Sequence, residues 1–85
     1  MSKCHKLLQN AKDSPSNVRF ADLCKLAECF GWVFKRQKGS HCIYSNPALG
    51  NTEGNCMNFQ EGSGGKAKIE QVTQLLNAIE LHNLE

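Results

Sequence analysis

The middle of the chain carries a histidine placed for proton transfer beside phosphate. His41 directly follows Gly39 and Ser40. Three cationic side chains come just before this segment: Lys35, Arg36 and Lys38. Because an imidazole ordinarily titrates with a pKa of about 6.5, it exchanges protons near neutral pH. A proton-transfer group beside a phosphate-binding patch suggests chemistry on RNA.

RNA supplies its own nucleophile, the 2′-hydroxyl, so its cleavage needs mainly a base and a stabilised phosphate. His41 is the candidate base, and such proton transfer contributes about 10²–10⁴-fold in rate. Lys38 is expected to stabilise charge on the phosphate oxygens, and Ser40 offers a hydroxyl donor. Gly39 lets the backbone approach the substrate closely. The predicted products are a 2′,3′-cyclic phosphate and a 5′-hydroxyl, with no metal or other cofactor required.

A second cationic segment precedes the last predicted helix. Lys66 and Lys68 follow a glycine-rich turn, where free amide groups and the helix dipole add to the lysine charges. Alternatively, these lysines are ordinary solvent-exposed residues at the start of a helix, with no role in binding. Lysine contacts to phosphates contribute affinity for RNA and no sequence specificity. The predicted RNA-binding residues are therefore Lys35, Arg36, Lys38, Gly39, Lys66 and Lys68.

Composition limits the other possibilities. The chain has 85 residues, a net charge of +2 and five cysteines. An odd cysteine count without a signal peptide argues against a disulfide framework, and no Cys-x-x-Cys pair indicates zinc. We expect the thiols to be mostly small buried hydrophobes in a reducing compartment, which favours the cytoplasm. No apolar run is long enough to predict a membrane-spanning helix.

Other catalytic arrangements are less well supported. The segment before Lys66 lacks the full spacing of a phosphate-binding P-loop, and the strand region has no paired carboxylates for two metals. Cys42 is a poor candidate nucleophile because neighbours on a strand point to opposite faces. A purely structural role for His41 remains the simplest alternative.

These residues must be positioned by an alternation of helices and strands. Periodicity and turn residues predict helices over 3–12 and 20–30, strands over 32–36, 41–45 and 56–60, and a last helix marked by Ile69, Val72, Leu75, Leu76 and Ile79. Gly31 is expected to cap the second helix. Trp32, Phe34 and Phe59 could stack on bases, but we expect Trp32 and Phe34 in the core. Periodicity alone does not decide which face of the 41–45 strand is buried.

Several segments together resemble the HicA family of toxins from bacterial toxin–antitoxin pairs, from about Val18 to Ile79. The segments that carry the resemblance are Phe20-Ala21-Asp22-Leu23, Phe30-Gly31-Trp32, Gly39-Ser40-His41-Cys42-Ile43-Tyr44, Met57-Asn58-Phe59-Gln60, Gly65-Lys66-Ala67-Lys68 and Gln71-Val72. Two features depart from the family pattern. Cys42 occupies a place where many members have a second histidine, and the N-terminal helix is absent from many short members.

The resemblance implies an α+β, double-stranded-RNA-binding-domain-like fold with a three-stranded antiparallel sheet and helices on one face, plus the extra N-terminal helix. It implies one domain over 1–85, with its core at about 18–80. It also implies a messenger-RNA endoribonuclease with His41 as catalytic histidine and a HicB-like antitoxin as partner. Two alternatives stay open: a non-catalytic RNA-binding module, and a protein-interaction module that pairs a sheet edge with a partner strand.

Overall fold

The order of elements follows the predicted alternation. The computed structural model describes residues 3–85. Its helices and strands are α1 (Lys3–Asp13), α2 (Phe20–Cys29), β1 (Val33–Lys38), β2 (His41–Ser45), β3 (Cys56–Gln60) and α3 (Ile69–Leu81). The predicted α+β class with a three-stranded antiparallel sheet is confirmed, and it is consistent with a double-stranded-RNA-binding-domain-like fold. The first strand lies one residue later than expected at its start and two at its end.

The sheet is a meander in the order β1-β2-β3, with both neighbouring pairs antiparallel. The two-residue loop Gly39–Ser40 joins β1 to β2, and Gly39 has a φ of +62°. A left-handed conformation in so tight a hairpin favours glycine, which has no Cβ to clash. Likewise Gly31, with φ of +104°, follows the end of α2 at the predicted cap.

All three helices contribute to one hydrophobic cluster on a single side of the sheet. The buried apolar side chains of the three strands are Tyr44, Met57 and Phe59. They pack with Leu8 and Ala11 of α1, Leu23, Leu26 and Ala27 of α2, and Val72, Leu75, Ala78 and Ile79 of α3. The predicted stripe of the last helix is thus mostly buried, whereas Ile69 at its start is exposed.

The loop between β2 and β3 is held against the core by Trp32. Its ring is buried, as predicted, and the indole N–H donates to the carbonyl oxygens of Gly54 at 3.1 Å and Asn55 at 3.0 Å. A buried indole needs such an acceptor. Trp32 therefore anchors the loop rather than stacking on bases.

Phe34 is not a core residue, contrary to the sequence expectation. Its side chain is 48% exposed, and its ring meets Tyr44 edge-on with 5.6 Å between ring centroids. It lies on β1, an edge strand whose six residues are all exposed. The helices cover the centre of the sheet and leave this edge open to solvent, so an aromatic strand residue is not buried here.

The expectation of free thiols is wrong for two cysteines. Cys4 and Cys29 form a disulfide that joins α1 to the last residue of α2, with 5.7 Å between their Cα atoms. The pairing was not predictable from spacing because it depends on how α1 folds back onto α2. Cys24, Cys42 and Cys56 are free.

Candidate active site

The buried face of the sheet determines which side chains remain available for chemistry. Tyr44 is 5% exposed and packs in the core, and Cys42 packs against the same cluster. Since alternate strand residues point to opposite faces, His41 and Ile43 lie on the other, open face. His41 is half-buried there. The catalytic candidate thus lies on a solvent-facing sheet surface rather than in the interior.

The two-residue loop and a β-bulge at Lys35 together set the register of β1 beside His41. The register runs from Phe34 opposite Tyr44 to Arg36 opposite Ile43, so one extra residue lies in β1. Lys38 then pairs directly with His41. Paired residues of an antiparallel ladder share a face. Because the two-residue loop already pairs Lys38 with His41, the extra residue changes the pairing farther along β1: without it, Lys35 would lie opposite Tyr44 and Phe34 opposite Ser45.

His41 is oriented by a residue of β3 that the sequence analysis did not single out as functional. Its Nδ1 lies 2.9 Å from Oδ1 of Asn58. An amide oxygen only accepts hydrogen bonds, so in the neutral imidazole Nδ1 carries the proton and donates it. Nε2 is then the unprotonated nitrogen that can accept a proton from a substrate. This is the arrangement required of a general base.

Beside His41, a series of side-chain hydrogen bonds links Lys68, Gln60 and Ser40. Lys68 Nζ donates to Gln60 Oε1 at 2.8 Å, and Gln60 Nε2 donates to Ser40 Oγ at 2.9 Å. Gln60 pairs with His41 across β2 and β3. Because the Ser40 oxygen accepts from Gln60, its own hydrogen remains available to donate outward. The arrangement brings Lys68 to the same surface as His41.

The backbone of Gln60 is in turn held by α3. Its N–H donates to Oε1 of Gln71 at 2.9 Å. Asn58 and Gln60 alternate with the buried Met57 and Phe59, a pattern that places both polar side chains on one face. That pattern could have identified them, but only with the β2–β3 register known.

The predicted residues fall into two groups. Lys38, Ser40, His41 and Lys68 come together on or beside the open face, with Arg36 in the neighbouring row. Lys35, at the bulge, and Lys66 are exposed, and no contact to His41 is seen for either. Within residues 3–85 the one ion pair joins Lys12 and Glu85. In the described residues, none of the cations of the face therefore forms an ion pair with an acidic side chain.

Cys42 lies on the opposite side of the sheet from His41, among core groups. It is close to Cys24 and Tyr44, and burial raises the pKa of the Cys24 thiol and of the Tyr44 phenol. Both groups consequently stay protonated at neutral pH. The Tyr44 hydroxyl donates to Glu28 Oε2 at 3.4 Å. This cluster packs the interior and does not face the candidate site.

Neither a metal site nor a membrane segment is found in the described part of the chain. Across residues 3–85, no three His, Cys, Asp or Glu side chains are grouped so that they could hold a metal ion. In the same residues, no helix has the length and apolar character needed to cross a bilayer.

Comparison with known proteins gives one finding. Residues 20–53 match the family model of the HicA toxin of bacterial toxin–antitoxin systems. The matched segment contains α2, β1, β2 and most of the following loop, and thus Lys38, Ser40 and His41. Searches of curated proteins and of solved structures found no match to the chain. The match covers 34 of the 85 residues; it agrees with the HicA resemblance and supports a toxin role.

Proposed function

We propose that this HicA-family chain is the toxin of a type II toxin–antitoxin system and cleaves messenger RNA as a metal-independent endoribonuclease. The observation that carries the proposal is the orientation of His41. Its Nδ1–H is held by Asn58 at 2.9 Å, which leaves Nε2 free on an open, cationic sheet face. A purely structural histidine would also be hydrogen-bonded to a neighbour, so what supports catalysis is the free Nε2 beside the paired Lys38.

In the proposed reaction, Nε2 of His41 removes the proton from a ribose 2′-hydroxyl. The 2′-oxygen forms a bond to the adjacent phosphorus while the bond to the 5′-oxygen of the next nucleotide breaks. The departing 5′-oxygen takes up a proton from solvent water, and the imidazolium later releases the one it gained to solvent. The products are a 2′,3′-cyclic phosphate and a 5′-hydroxyl, so atoms and charge balance without a redox partner or metal.

The phosphate develops additional negative charge during this step, and donors on the open face would stabilise it. Lys38 lies directly opposite His41 in the β1–β2 ladder. Ser40 can donate its hydroxyl hydrogen because its oxygen accepts from Gln60. Arg36 and Lys68 extend the cationic surface on either side, where they would hold neighbouring phosphates of the RNA backbone.

The antitoxin is proposed to cover the face of His41. A nuclease whose base and cations lie on an exposed sheet surface is accessible to any RNA, so inhibition requires that this surface be blocked. A partner with acidic side chains opposite Arg36 and Lys38 would be electrostatically complementary to it.

The test is cleavage of a mixed-sequence RNA by the purified chain in EDTA, with analysis of the new ends. His41→Ala is the variant, and His5→Ala, on α1, is the matched loss of a histidine elsewhere. We expect cleavage by the wild type and by the His5 variant, with cyclic phosphate ends, and at least a 10²-fold loss in His41→Ala. Binding of the His41 variant to RNA should be retained.

The alternatives give different results. RNA binding without cleavage by either protein would favour the non-catalytic RNA-binding module. Failure to bind RNA even at low salt would favour the protein-interaction module, because phosphate contacts strengthen as salt falls. Ends bearing a 5′-phosphate, or equal cleavage by wild type and His41→Ala, would refute the proposed mechanism.

A further inference from the structure

The open face of the sheet extends beyond β3, where two short extended segments lie side by side. The Ala67 N–H donates to the Val18 carbonyl at 2.8 Å, and Arg19 forms an antiparallel bridge with Lys66. Val18 and Ala67 are buried. Because neighbouring residues of extended segments alternate, Arg19 and Lys66 point outward together. Arg19, which was not among the RNA-binding residues predicted from the sequence, therefore joins the cationic surface.

These two cations border a surface cleft of about 530 Å³. The cleft lies where α1, the start of α2 and the Ser63–Gly65 turn meet, and its lining includes Asn10, Asn17, Arg19, Asp22, Gly65 and Lys66. Neither cation has an ion-pair partner within residues 3–85. The lining carries these two positive charges and the carboxylate of Asp22, and the Glu61 carboxylate lies near Gly65 at its rim. The amides of Asn10 and Asn17 add uncharged donors.

The cleft is connected to the candidate active site through Lys68. That residue contacts Gln60 beside His41, and it stands two residues after Lys66. Residues two apart in an extended backbone point to the same face, so the side chains of Lys66 and Lys68 lie on one side. They are separated by about 6.6 Å along the backbone. Cationic groups thus run from His41, through Lys68 and Lys66, to Arg19.

We propose that this cleft is a second RNA-binding subsite, which holds a backbone phosphate between Arg19 and Lys66 while the scissile phosphate lies at His41. The inference rests on the proposed function, since it takes the ligand of the open face to be RNA. Arginine presents a planar fork of donors that suits a phosphate, and lysine adds a point charge. The extra helix α1 forms one wall through Asn10, so the subsite depends on a part of the chain that many short HicA-like sequences lack.

Asp22 in the cleft provides a test of which chemical group is bound there. A carboxylate repels phosphate, so its removal should strengthen binding if the ligand group is anionic. If the cleft instead recognised a hydroxyl or amino donor, Asp22 would accept a hydrogen bond from it and its removal would weaken binding. The sign of this one change therefore distinguishes a phosphate from a neutral donor.

The experiment is fluorescence anisotropy with a 2′-O-methyl RNA oligonucleotide, which cannot be cleaved by 2′-oxygen attack, over a series of salt concentrations. Arg19→Gln is the main variant and Lys25→Gln, on the helix side of the molecule, is the matched control. We expect about 2- to 5-fold weaker binding by Arg19→Gln. The slope of log affinity against log salt should fall by about 0.7, the value for one phosphate contact on a single strand. Lys25→Gln should leave both quantities unchanged.

Two further measurements complete the test. Asp22→Asn should bind more tightly than wild type. In single-turnover cleavage with protein in excess but below saturation, the rate of Arg19→Gln should fall by the same factor as its affinity, because the subsite acts through substrate binding. Thermal melts of each variant establish that it is folded.

The outcomes separate the two proposals. Unchanged affinity and salt slope in folded Arg19→Gln would overturn the subsite while leaving the nuclease proposal intact. Weaker binding by Asp22→Asn would overturn the assignment to phosphate. RNA binding that depends on Arg19, without cleavage by the wild type, would support the subsite and refute the nuclease. No RNA binding by the wild type would refute both.

Discussion

The hydrogen bond between Asn58 and His41 leads to a specific kinetic prediction. Asn58→Ala removes the acceptor that holds Nδ1–H at 2.9 Å. The ring can then rotate, and the proton can move to the nitrogen that should act as the base. Because Asn58 is exposed, we expect a loss near the low end for a net hydrogen bond, about 0.5–1 kcal/mol. This corresponds to roughly 2- to 5-fold in the rate of the chemical step.

The assay is single-turnover RNA cleavage at saturating protein, which separates the chemical step from binding. Asn77→Ala, an exposed position on α3, is the matched control and should retain the wild-type rate. Asn58→Asp keeps an acceptor for Nδ1–H, so it should recover at least part of the loss. Its added charge should also move the acid limb of the pH–rate profile to higher pH, since a carboxylate favours the imidazolium. Asn58→Ala that cleaves at the full rate would refute the positioning role, as would a loss confined to RNA affinity.

Three further predictions concern the network and the core. Gln60→Ala should lower the cleavage rate about 2- to 5-fold by releasing Ser40, and an unchanged rate would exclude Ser40 as a positioned donor. Reduction of the Cys4–Cys29 disulfide, which closes a separation of 25 residues, should lower the free energy of unfolding by about 3.5 kcal/mol. Denaturant titrations with and without reductant measure this difference, and coincident curves would contradict it. Burial raises the pKa of Tyr44 above its unfolded value of about 10. The neutral phenol therefore contributes its full stabilisation below about pH 10, and this stabilisation is lost as pH rises toward the pKa of the folded state. Denaturant titrations should therefore show falling stability above about pH 10, and this decline should be shallower in Tyr44→Phe; equal slopes would argue against the buried phenol as its cause.

The disulfide and Phe34 are the clearest cases in which the structure overturned sequence-based expectations. An odd cysteine count made free thiols the reasonable expectation, yet α1 packs so that Cys4 meets Cys29. Phe34 is an aromatic residue in a β-prone segment, which favours a core position, but it lies on an edge strand that the helices do not cover. Both outcomes depend on which elements pack together, and local sequence does not contain that information.

The sequence alone determined the elements and the position of the candidate base. Apolar periodicity identified the helices, and Gly39 between two β-prone segments indicated a tight connection just before His41. The structure extends β1 to Lys38, which pairs with His41. Tertiary structure decided which face of β2 is open, because burial of Tyr44 under the helices directs His41 to solvent. It also decided the partners of His41 and Ser40. Asn58 and Gln60 are 17 and 20 residues away along the chain, and only the β2–β3 register brings them within hydrogen-bonding distance.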